Sequence, residues 1–329
     1  MTMAFRPPAR AGAGSPRPTN AASPPALGAG KPGPYGIAGA PANLARRHLS
    51  QRLAWAFLWL SGLAAVALLL GIAAYVMVQG AGSISLEFLL TAPRGGLSGE
   101  GGISTTIVTT LWLALLTIGI ATPLGVGAAI YLTEYADEAA RRQKALAWLI
   151  ALVRFAIETL AGVPSILFGL FGYALFVSAL HFGFSLLSAG LAGACLVLPL
   201  IIRATEEALR AVPRSYREGS LALGATHWQT VTGVVVPAAL PGIVTSIILS
   251  VGRVFSETAV FFVTLGGSYR MPTSLLSPGR TMALHVYYLA MDTRAFGKAM
   301  ATGAILVLGM IGINAAVHAV TARFKEERN

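Results

Sequence analysis

Four charged side chains stand inside otherwise apolar stretches, as two pairs with the same spacing. Arg154 and Glu158 form one pair and Arg253 and Glu257 the other, each within the pattern R-x-x-x-E-T. A spacing of four places both members of a pair on one face of a helix. An ionised side chain near the centre of a bilayer costs at least about 2.5–3.5 kcal/mol. Each pair therefore either neutralises itself while joining helices or handles a charged solute.

A polar segment at 203–237, called the elbow below, carries the signals of two short helices. Pro213 ends the preceding helix, because a proline interrupts helical hydrogen bonding. Ser215 and Glu218 have the S-x-x-E spacing of a capping box, in which each side chain accepts a hydrogen bond from the other residue's backbone N–H. The pattern predicts a helix that begins at Ser215.

The second half of the elbow has its own end and start signals. Gly224 can end the first helix by adopting a positive φ, which other residues resist. Thr226 and Gln229 repeat the capping spacing as T-x-x-Q and predict a second short helix. Pro237 then precedes the next apolar stretch. The large apolar side chains that this helix–glycine–helix segment offers for contacts are Tyr216, Leu221 and Trp228.

The elements that position these residues must be membrane helices. Of the 329 residues 55% are hydrophobic and 11% are charged, whereas soluble domains carry roughly 25% charged residues. Together with a mean hydropathy of +0.69, this excludes a soluble globular enzyme and excludes disorder as the main state. A helix needs about 20 residues to cross the hydrocarbon core. The apolar runs of suitable length are 53–79, 103–132, 145–180, 185–202, 238–265 and 297–320.

The six runs predict an all-α membrane protein with six transmembrane helices, the first at 53–79. Run 145–180 is too long for one straight span. It either tilts and kinks at Pro164 or continues as a separate short segment.

The distribution of basic residues predicts the orientation. Seventeen of the 24 lysines and arginines lie in the segments that face the cytoplasm if the N-terminus is inside, and five lie in the opposite segments. The positive-inside rule then places both termini in the cytoplasm. Residues 1–52 contain no acid and are dominated by Pro, Gly, Ala and Ser, which predicts a disordered basic tail beside anionic lipid, with no role in nucleic-acid binding. Residues 321–329 form the C-terminal cytoplasmic tail.

The sequence predicts neither a metal site nor ATP hydrolysis by this chain. It contains one cysteine, and His181, His285 and His318 are far apart. It also lacks the G-x-x-x-x-G-K-[ST] phosphate loop of ATPases. Energy for uphill transport must therefore come from a partner protein.

The elbow resembles the EAA loop of ABC importer permeases, whose pattern is E-A-A, three residues, G, nine residues, I-x-L-P. The matching positions here are Glu218, Gly224, Val234, Val236 and Pro237, and Gly219 and Ser220 replace the two alanines. In that family the loop is a coupling helix that sits in a groove of the cytoplasmic ATPase. The resemblance implies that the ATPase-coupling residues are Ser215, Glu218, Gly219, Gly224, Thr226 and Pro237.

Further segments resemble phosphate importer permeases of the PstA type. They lie at 101–111, 161–172 and 221–231, and the stretch from Arg253 to Ala259 resembles the R-x-x-x-E-T-A segment of those permeases. There, intramembrane Arg and Glu are implicated in moving the anion. The resemblance implies a type I ABC importer (MetI-like) permease fold over about 100–320. It also implies a substrate path that contains Arg253, Glu257, Arg154 and Glu158.

The resemblance implies a permease subunit that moves inorganic phosphate across the bacterial cytoplasmic membrane by alternating access. Its implied partners are a related PstC-type permease in a heterodimer, two copies of a cytoplasmic ATPase that binds ATP and Mg²⁺, and an external phosphate-binding protein. No cofactor is expected on this chain. The alternatives are a permease for molybdate, sulfate or phosphonate, a gradient-driven secondary transporter, and a non-transporting membrane signalling subunit.

Overall fold

The computed structural model describes residues 42–94, 99–136, 140–141, 143–293 and 295–326. The predicted tails at 1–52 and 321–329 therefore lie partly outside the described residues. Residues 42–52 are helical, which corrects the predicted extent of the N-terminal tail. They contain no Pro or Gly and are rich in Ala, Leu, Arg and Gln, so the helix of the first span extends into them.

The described chain is helical and contains no strand, only isolated bridges at Pro93–Gly101 and Gly266–Gly279. Its helices are α1 (Ala42–Ala81), α2 (Leu86–Leu90), α3 (Ser104–Ile130), α4 (Lys144–Ala161), α5 (Ser165–Gly172), α6 (Leu186–Arg210), α7 (Arg214–Ala222), α8 (His227–Thr230), α9 (Val236–Ser256), α10 (Ala259–Thr264), α11 (Met282–Asp292) and α12 (Phe296–Glu326). Helices α3, α5 and α8 continue into π-helical segments at Tyr131–Tyr135, Tyr173–Ala179 and Val231–Val235. The chain divides into two units, with the boundary between residues 64 and 65. The contacts and sites described below all lie in the second unit.

Five helical stretches are long and apolar enough to cross a membrane. They are His48–Ala81, Ser104–Tyr135, Leu186–Arg210, His227–Ser256 and Phe296–Ala315. Lys144–Ala161 and Ser165–Ala179 make a sixth crossing if they are taken as one span, with a bend of 110° between them. The predicted all-α membrane architecture is confirmed. Run 145–180 breaks between residues 161 and 165, where Pro164 stands.

The predicted span at 238–265 is wrong at both ends. Its helix starts at His227, inside the elbow, and ends at Ser256. The early start follows from local bonds, because α8 passes through its π-helical segment into α9, where the N–H of Val236 donates to Val231 O. The helix ends early because the buried carboxylate of Glu257 accepts hydrogen bonds from the first residues of the next helix.

Small residues let the central helices pack closely. Helix α6 crosses α3 at Gly190 and Gly193, where an added Cβ would come within 2.5 Å of Leu116 and 3.1 Å of Thr117. Thr117 Oγ1 donates to Gly190 O across this contact at 3.4 Å. Such residues are enriched where membrane helices meet, because they allow the backbones to approach.

Helix α3 connects two distinct ends of the molecule. At its start, Thr110 Oγ1 accepts a hydrogen bond from the N–H of Met282 at 2.9 Å. At its far end, Glu134 pairs with Arg217 of the elbow at 2.7 Å. A helix over Ser104–Tyr135 is roughly 48 Å long at 1.5 Å per residue, which exceeds the thickness of the hydrocarbon core. The segment around α11 and the elbow therefore lie at opposite ends of a spanning helix.

Candidate functional site

Arg253 and Glu257 form an ion pair at the end of α9. Arg253 Nη2 lies 3.3 Å from Glu257 Oε2, so the spacing of four produces the predicted contact. The two partners are buried to different degrees: the side chain of Glu257 is 4% exposed and that of Arg253 is 48% exposed. The carboxylate is therefore fixed in the protein, and the guanidinium lies at its edge.

Glu257 also separates two helices. Helix α9 ends at Ser256, and Glu257 has extended backbone with φ −76° and ψ 128°. Its Oε1 accepts hydrogen bonds from the N–H groups of Ala259 at 3.1 Å and Val260 at 3.3 Å, at the start of α10. The first N–H groups of a helix lack partners within it, so this carboxylate satisfies two of them. This contact explains why the apolar run to residue 265 is not one span.

The geometry suits an anion. A buried, backbone-bound carboxylate holds the half-exposed guanidinium of Arg253 from one side. A guanidinium stays charged in low dielectric and presents a planar fork that matches an oxyanion. Broken helices are a common setting of substrate sites in transporters.

The first Arg–Glu pair is arranged differently. Arg154 Nη2 donates to the carbonyl oxygen of Leu132 at 2.8 Å, and Glu158 Oε1 lies 3.2 Å from Nη2 of Arg203 on α6. Arg154 also lines a cavity of about 620 Å³. The other arginines of this cavity are Arg210, Arg214 and Arg217. The structure thus brings Arg154 next to the elbow, and a place for Arg154 and Glu158 in a substrate path stays a prediction.

The first elbow helix starts earlier than predicted. Helix α7 begins at Arg214, with Pro213 at the N-cap and no side-chain hydrogen bond at the cap. The predicted start at Ser215 and its capping box with Glu218 are therefore wrong. Pro213 has φ −56°, close to the value that its ring imposes, so the helix begins directly after it. Ser215 and Glu218 lie inside α7 and are exposed.

The turn between the elbow helices is as predicted. Gly224 has φ +89°, and its N–H donates to Leu221 O at 3.0 Å. Thr226 and Gln229 form the capping box, in which the N–H of Thr226 donates to Gln229 Oε1 at 2.8 Å and the N–H of Gln229 donates to Thr226 Oγ1 at 3.3 Å. Pro237, expected to precede a new span, lies inside the continuous helix from His227 to Ser256.

The elbow exposes both its predicted coupling residues and several large apolar side chains. Ser215, Glu218, Gly219, Gly224 and Thr226 are all exposed or half-buried at the surface, and Pro237 is half-buried. The exposed large apolar side chains are those of Tyr216, Leu221, Leu223 and Trp228. Leu223, which the sequence did not single out, is 91% exposed. Exposed apolar side chains on an otherwise polar segment are typical of a protein contact.

A brace between the elbow and α3 was not predicted. The guanidinium of Arg217 donates to the carboxylate of Glu134, at 2.7 Å from Nη2 and at 3.2 Å from Nε. Its Nη1 also donates to the carbonyl oxygen of Val212, and its Nη2 to that of Leu209. The Glu134 side chain is 5% exposed. Ser220 and Thr230 share a hydrogen bond of 2.9 Å between the two elbow helices. Glu134 and Arg217 are 83 residues apart, so no local spacing could reveal their pairing.

Comparisons with known proteins agree with this architecture. A family described as "Binding-protein-dependent transport system inner membrane component" matches residues 121–326. The chain is 31% identical over 288 residues to a probable ABC transporter permease protein, YqgI, of Bacillus subtilis, covering 82% of this chain and 94% of the relative. It is 32% identical over 287 residues to the phosphate transport system permease protein PstA 1 of Mycobacterium tuberculosis, covering 86% of this chain and 91% of the relative.

The solved structure of an inward-facing MetNI methionine ABC transporter contains a similar chain. The TM-score is 0.51 at 21% identity, and the similarity covers 68% of this chain and 94% of that chain. At this identity the similarity shows the fold alone. The predicted type I ABC importer (MetI-like) permease fold is confirmed.

Proposed function

The chain belongs to the family of binding-protein-dependent transport system inner membrane components, and on that basis we propose that it is the permease subunit of an importer for inorganic phosphate. The family makes it an ABC importer permease in the inner membrane and sets aside the gradient-driven and signalling alternatives. The choice of phosphate is the proposal. It is supported by the PstA 1 relative, which is similar over 86% of this chain.

The observation that carries the proposal is the ion pair at the break between α9 and α10. Glu257 is buried and bound to two backbone N–H groups, and Arg253 is half-exposed beside it. The guanidinium supplies donors for a tetrahedral anion, and the carboxylate competes with that anion for the same charge. Conduction requires that a site release its ligand as well as bind it.

The elbow would transmit the energy of ATP hydrolysis. Its exposed apolar side chains would enter a groove of the cytoplasmic ATPase, and the Arg217–Glu134 pair would pass a movement of the elbow to α3. Two ATPase copies would bind ATP and Mg²⁺ and alternate the permease between its two open states. This chain would supply no ATPase chemistry of its own.

The remaining partners follow from the same proposal. A PstC-type permease would complete the path as a heterodimer, and an external phosphate-binding protein would deliver the anion. Both termini would face the cytoplasm, as the distribution of basic residues predicts. With the elbow on the cytoplasmic side, the segment around α11 faces outward, because it lies at the other end of α3.

The second candidate is a permease for another oxyanion, such as molybdate, sulfate or phosphonate. It is favoured by the relative YqgI, whose name states no substrate. Both candidates use the same guanidinium chemistry. The two are separated by measuring uptake of radiolabelled phosphate with each unlabelled anion as a competitor, in cells that lack other phosphate importers. The phosphate assignment would be rejected by an absence of phosphate uptake, or by uptake that molybdate, sulfate or phosphonate suppresses at a lower concentration than unlabelled phosphate does.

Substitutions at Arg253 test the site itself. Arg253→Lys keeps the charge and loses the planar fork, so uptake should fall, and Arg253→Gln should lower it further, by about 10- to 100-fold, since a hydrogen bond to a charged group contributes about 1.5–3 kcal/mol. Uptake is normalised to assembled complex. Arg210→Gln is the matched control, because Arg210 forms a pair of the same spacing with Glu206 at the elbow end of α6.

The double variant Arg253→Gln/Glu257→Gln separates transport from structure. The amide that replaces the carboxylate of Glu257 would keep an oxygen that accepts from the N–H groups of Ala259 and Val260, so α10 should retain its start. If the pair only joins helices, removing both charges together should restore uptake. We expect assembly to recover and uptake to stay low. Uptake near the wild-type level in the double variant would remove Arg253 and Glu257 from the substrate path.

A further inference from the structure

A second arginine site lies at the end of the molecule opposite the elbow. A cavity of about 230 Å³ is bordered by Gly99 and Glu100, by the loop before Arg280 and by helix α11. The lining side chains that matter here are Tyr269, Arg280, His285 and Tyr288, of which Tyr269 is also exposed at the surface. Its exposed rim carries Arg94, Glu100 and Asp292. None of these residues belongs to the Arg253–Glu257 pair or to the elbow.

Arg280 is buried in this cavity beside aromatic rings. The residue is 6% exposed, and its guanidinium carbon lies 4.1 Å from the ring centre of Tyr269 and 3.9 Å from that of Tyr288. Nε donates to Gly267 O at 3.0 Å, and Nη1 donates to His285 Nδ1 at 3.5 Å. Within the described part of the chain, no acidic oxygen lies within 4.0 Å of it.

The local backbone is shaped to hold this cation. Gly267 has φ +71°, and a Cβ added there would come within 3.0 Å of Tyr288 Oη, so only glycine lets the ring and the carbonyl oxygen approach the guanidinium together. His285 is neutral, since burial and the nearby Arg280 lower its pKa to about 4. Because Nδ1 accepts from Arg280, the remaining proton of the imidazole is on Nε2.

A guanidinium carries five N–H donors, and the two contacts of Arg280 use two of them. Aromatic rings attract a cation through their faces but accept no strong hydrogen bond. Burying a charge without a counter-charge is unfavourable, and buried charges are normally paired. The three remaining donors are open to the cavity, which has room for a small ion that could accept them.

We infer that Arg280 forms a binding site for a small tetrahedral oxyanion at the outer mouth of the permease, separate from Arg253. The inference takes its substrate class and its side of the membrane from the proposed function. The planar fork binds two oxygens of the anion, and the tyrosines exclude water from the charge. The anion would reach this site before the Arg253–Glu257 pair, because the site lies beyond the start of α3.

Binding is measured on the assembled importer in lipid nanodiscs, without ATP and without the external binding protein. The probe is inorganic phosphate, followed by broadening of its phosphorus NMR signal, with sulfate as a competitor. Arg280→Gln should weaken binding at least about tenfold. Arg270→Gln is the matched control, because Arg270 is an exposed arginine of the same loop, and it should bind like the wild type.

A second variant does not depend on the fold tolerating a change at Arg280. Asp292 is exposed on the rim, so Asp292→Asn should assemble normally. It removes a negative charge facing the site and should tighten phosphate binding by about three- to fivefold at low salt. A purely structural Arg280 would not produce this gain.

The outcomes separate this inference from the proposed function. The inference would be overturned if Arg280→Gln bound phosphate as tightly as the wild type, or if Asp292→Asn did not bind it more tightly. It would also be overturned if Arg253→Gln abolished phosphate binding while Arg280→Gln did not. The absence of phosphate and sulfate binding to the wild type would overturn it as well. If wild-type cells import sulfate and no phosphate, while sulfate binding still depends on Arg280, the phosphate proposal fails and the site at Arg280 stands.

Discussion

Two arginines near opposite ends of α3 differ in what accepts their hydrogen bonds. Arg217, at the elbow, donates to both oxygens of Glu134 and to two backbone carbonyl oxygens. Arg280, beyond the start of α3, donates to one carbonyl oxygen and one imidazole and has aromatic rings where Arg217 has a carboxylate. A guanidinium whose N–H donors have acceptors in the protein stabilises the structure, whereas one with free donors can bind a ligand.

Removing each of the two arginines should cost a different free energy of unfolding. Removing one partner of a buried ion pair leaves the other charge uncompensated and costs about 3–5 kcal/mol. Removing an unpaired buried cation also removes its own desolvation penalty, so the net cost is smaller. The elbow end should therefore be sensitive in stability, and the Arg280 end should be sensitive in binding.

The largest expected effect is at Arg217. Arg217→Gln should lower the free energy of unfolding by about 3 kcal/mol, because it strands the buried carboxylate of Glu134. Arg280→Gln should change it by less than about 1 kcal/mol in phosphate-free buffer. The measurement is the thermal midpoint of the detergent-solubilised protein. Arg214→Gln is the control for the elbow, since Arg214 is an exposed neighbour in the same cavity. Equal losses for Arg217→Gln and Arg280→Gln would end the contrast between the two sites.

An intermediate effect is expected within the elbow. Gly224→Val places a β-branched side chain at φ +89°, which costs about 1–3 kcal/mol locally and should distort the turn that presents the exposed apolar side chains. The permease should still insert but should co-purify with less ATPase. Gly233→Ala is the matched change, because Gly233 lies in the π-helical part of the elbow with nothing within 4 Å of an added Cβ. A Gly224→Val variant that retains the wild-type amount of ATPase would contradict the coupling role of the elbow.

Features that rest on local bonds could be predicted from the sequence. The apolar runs predicted the spans apart from the ends of 238–265, and the Thr226–Gln229 box and the positive φ of Gly224 are present as expected. The predicted start at Ser215 failed, although its pattern is local, because Pro213 already occupies the N-cap. The pattern of a capping box is thus not sufficient to form one.

Features that rest on distant contacts could not be predicted. The carboxylate of Glu257 ends α9 only because it is buried and bonds the N–H groups of the next helix. Glu134 and Arg217 meet across 83 residues. Arg280 stands between two apolar runs, and only the folded chain places Tyr269 and Tyr288 beside it. Hydropathy identifies charges inside apolar runs and misses charges that the fold buries elsewhere.

The smallest expected effect is the pH dependence of stability that arises from His285, beside Arg280. Burial, and then the charge of Arg280, lower the pKa of His285 from 6.5 to about 4. Between these values the unfolded chain binds a proton that the folded protein does not, so the contribution of His285 to stability is full above pH 6.5 and is lost as the pH falls toward 4. From pH 7 to 5.5 the loss should be about 1 kcal/mol.

His285→Gln keeps an acceptor for Arg280 Nη1 without a titrating group, so the thermal midpoint of this variant should fall less on acidification than that of the wild type. His181→Gln is the matched control, since His181 is an exposed histidine that does not line the cavity of Arg280. Parallel pH profiles for the wild type and His285→Gln would mean that the pKa of His285 is the same in the folded and unfolded chains, and that neither burial nor Arg280 lowers it.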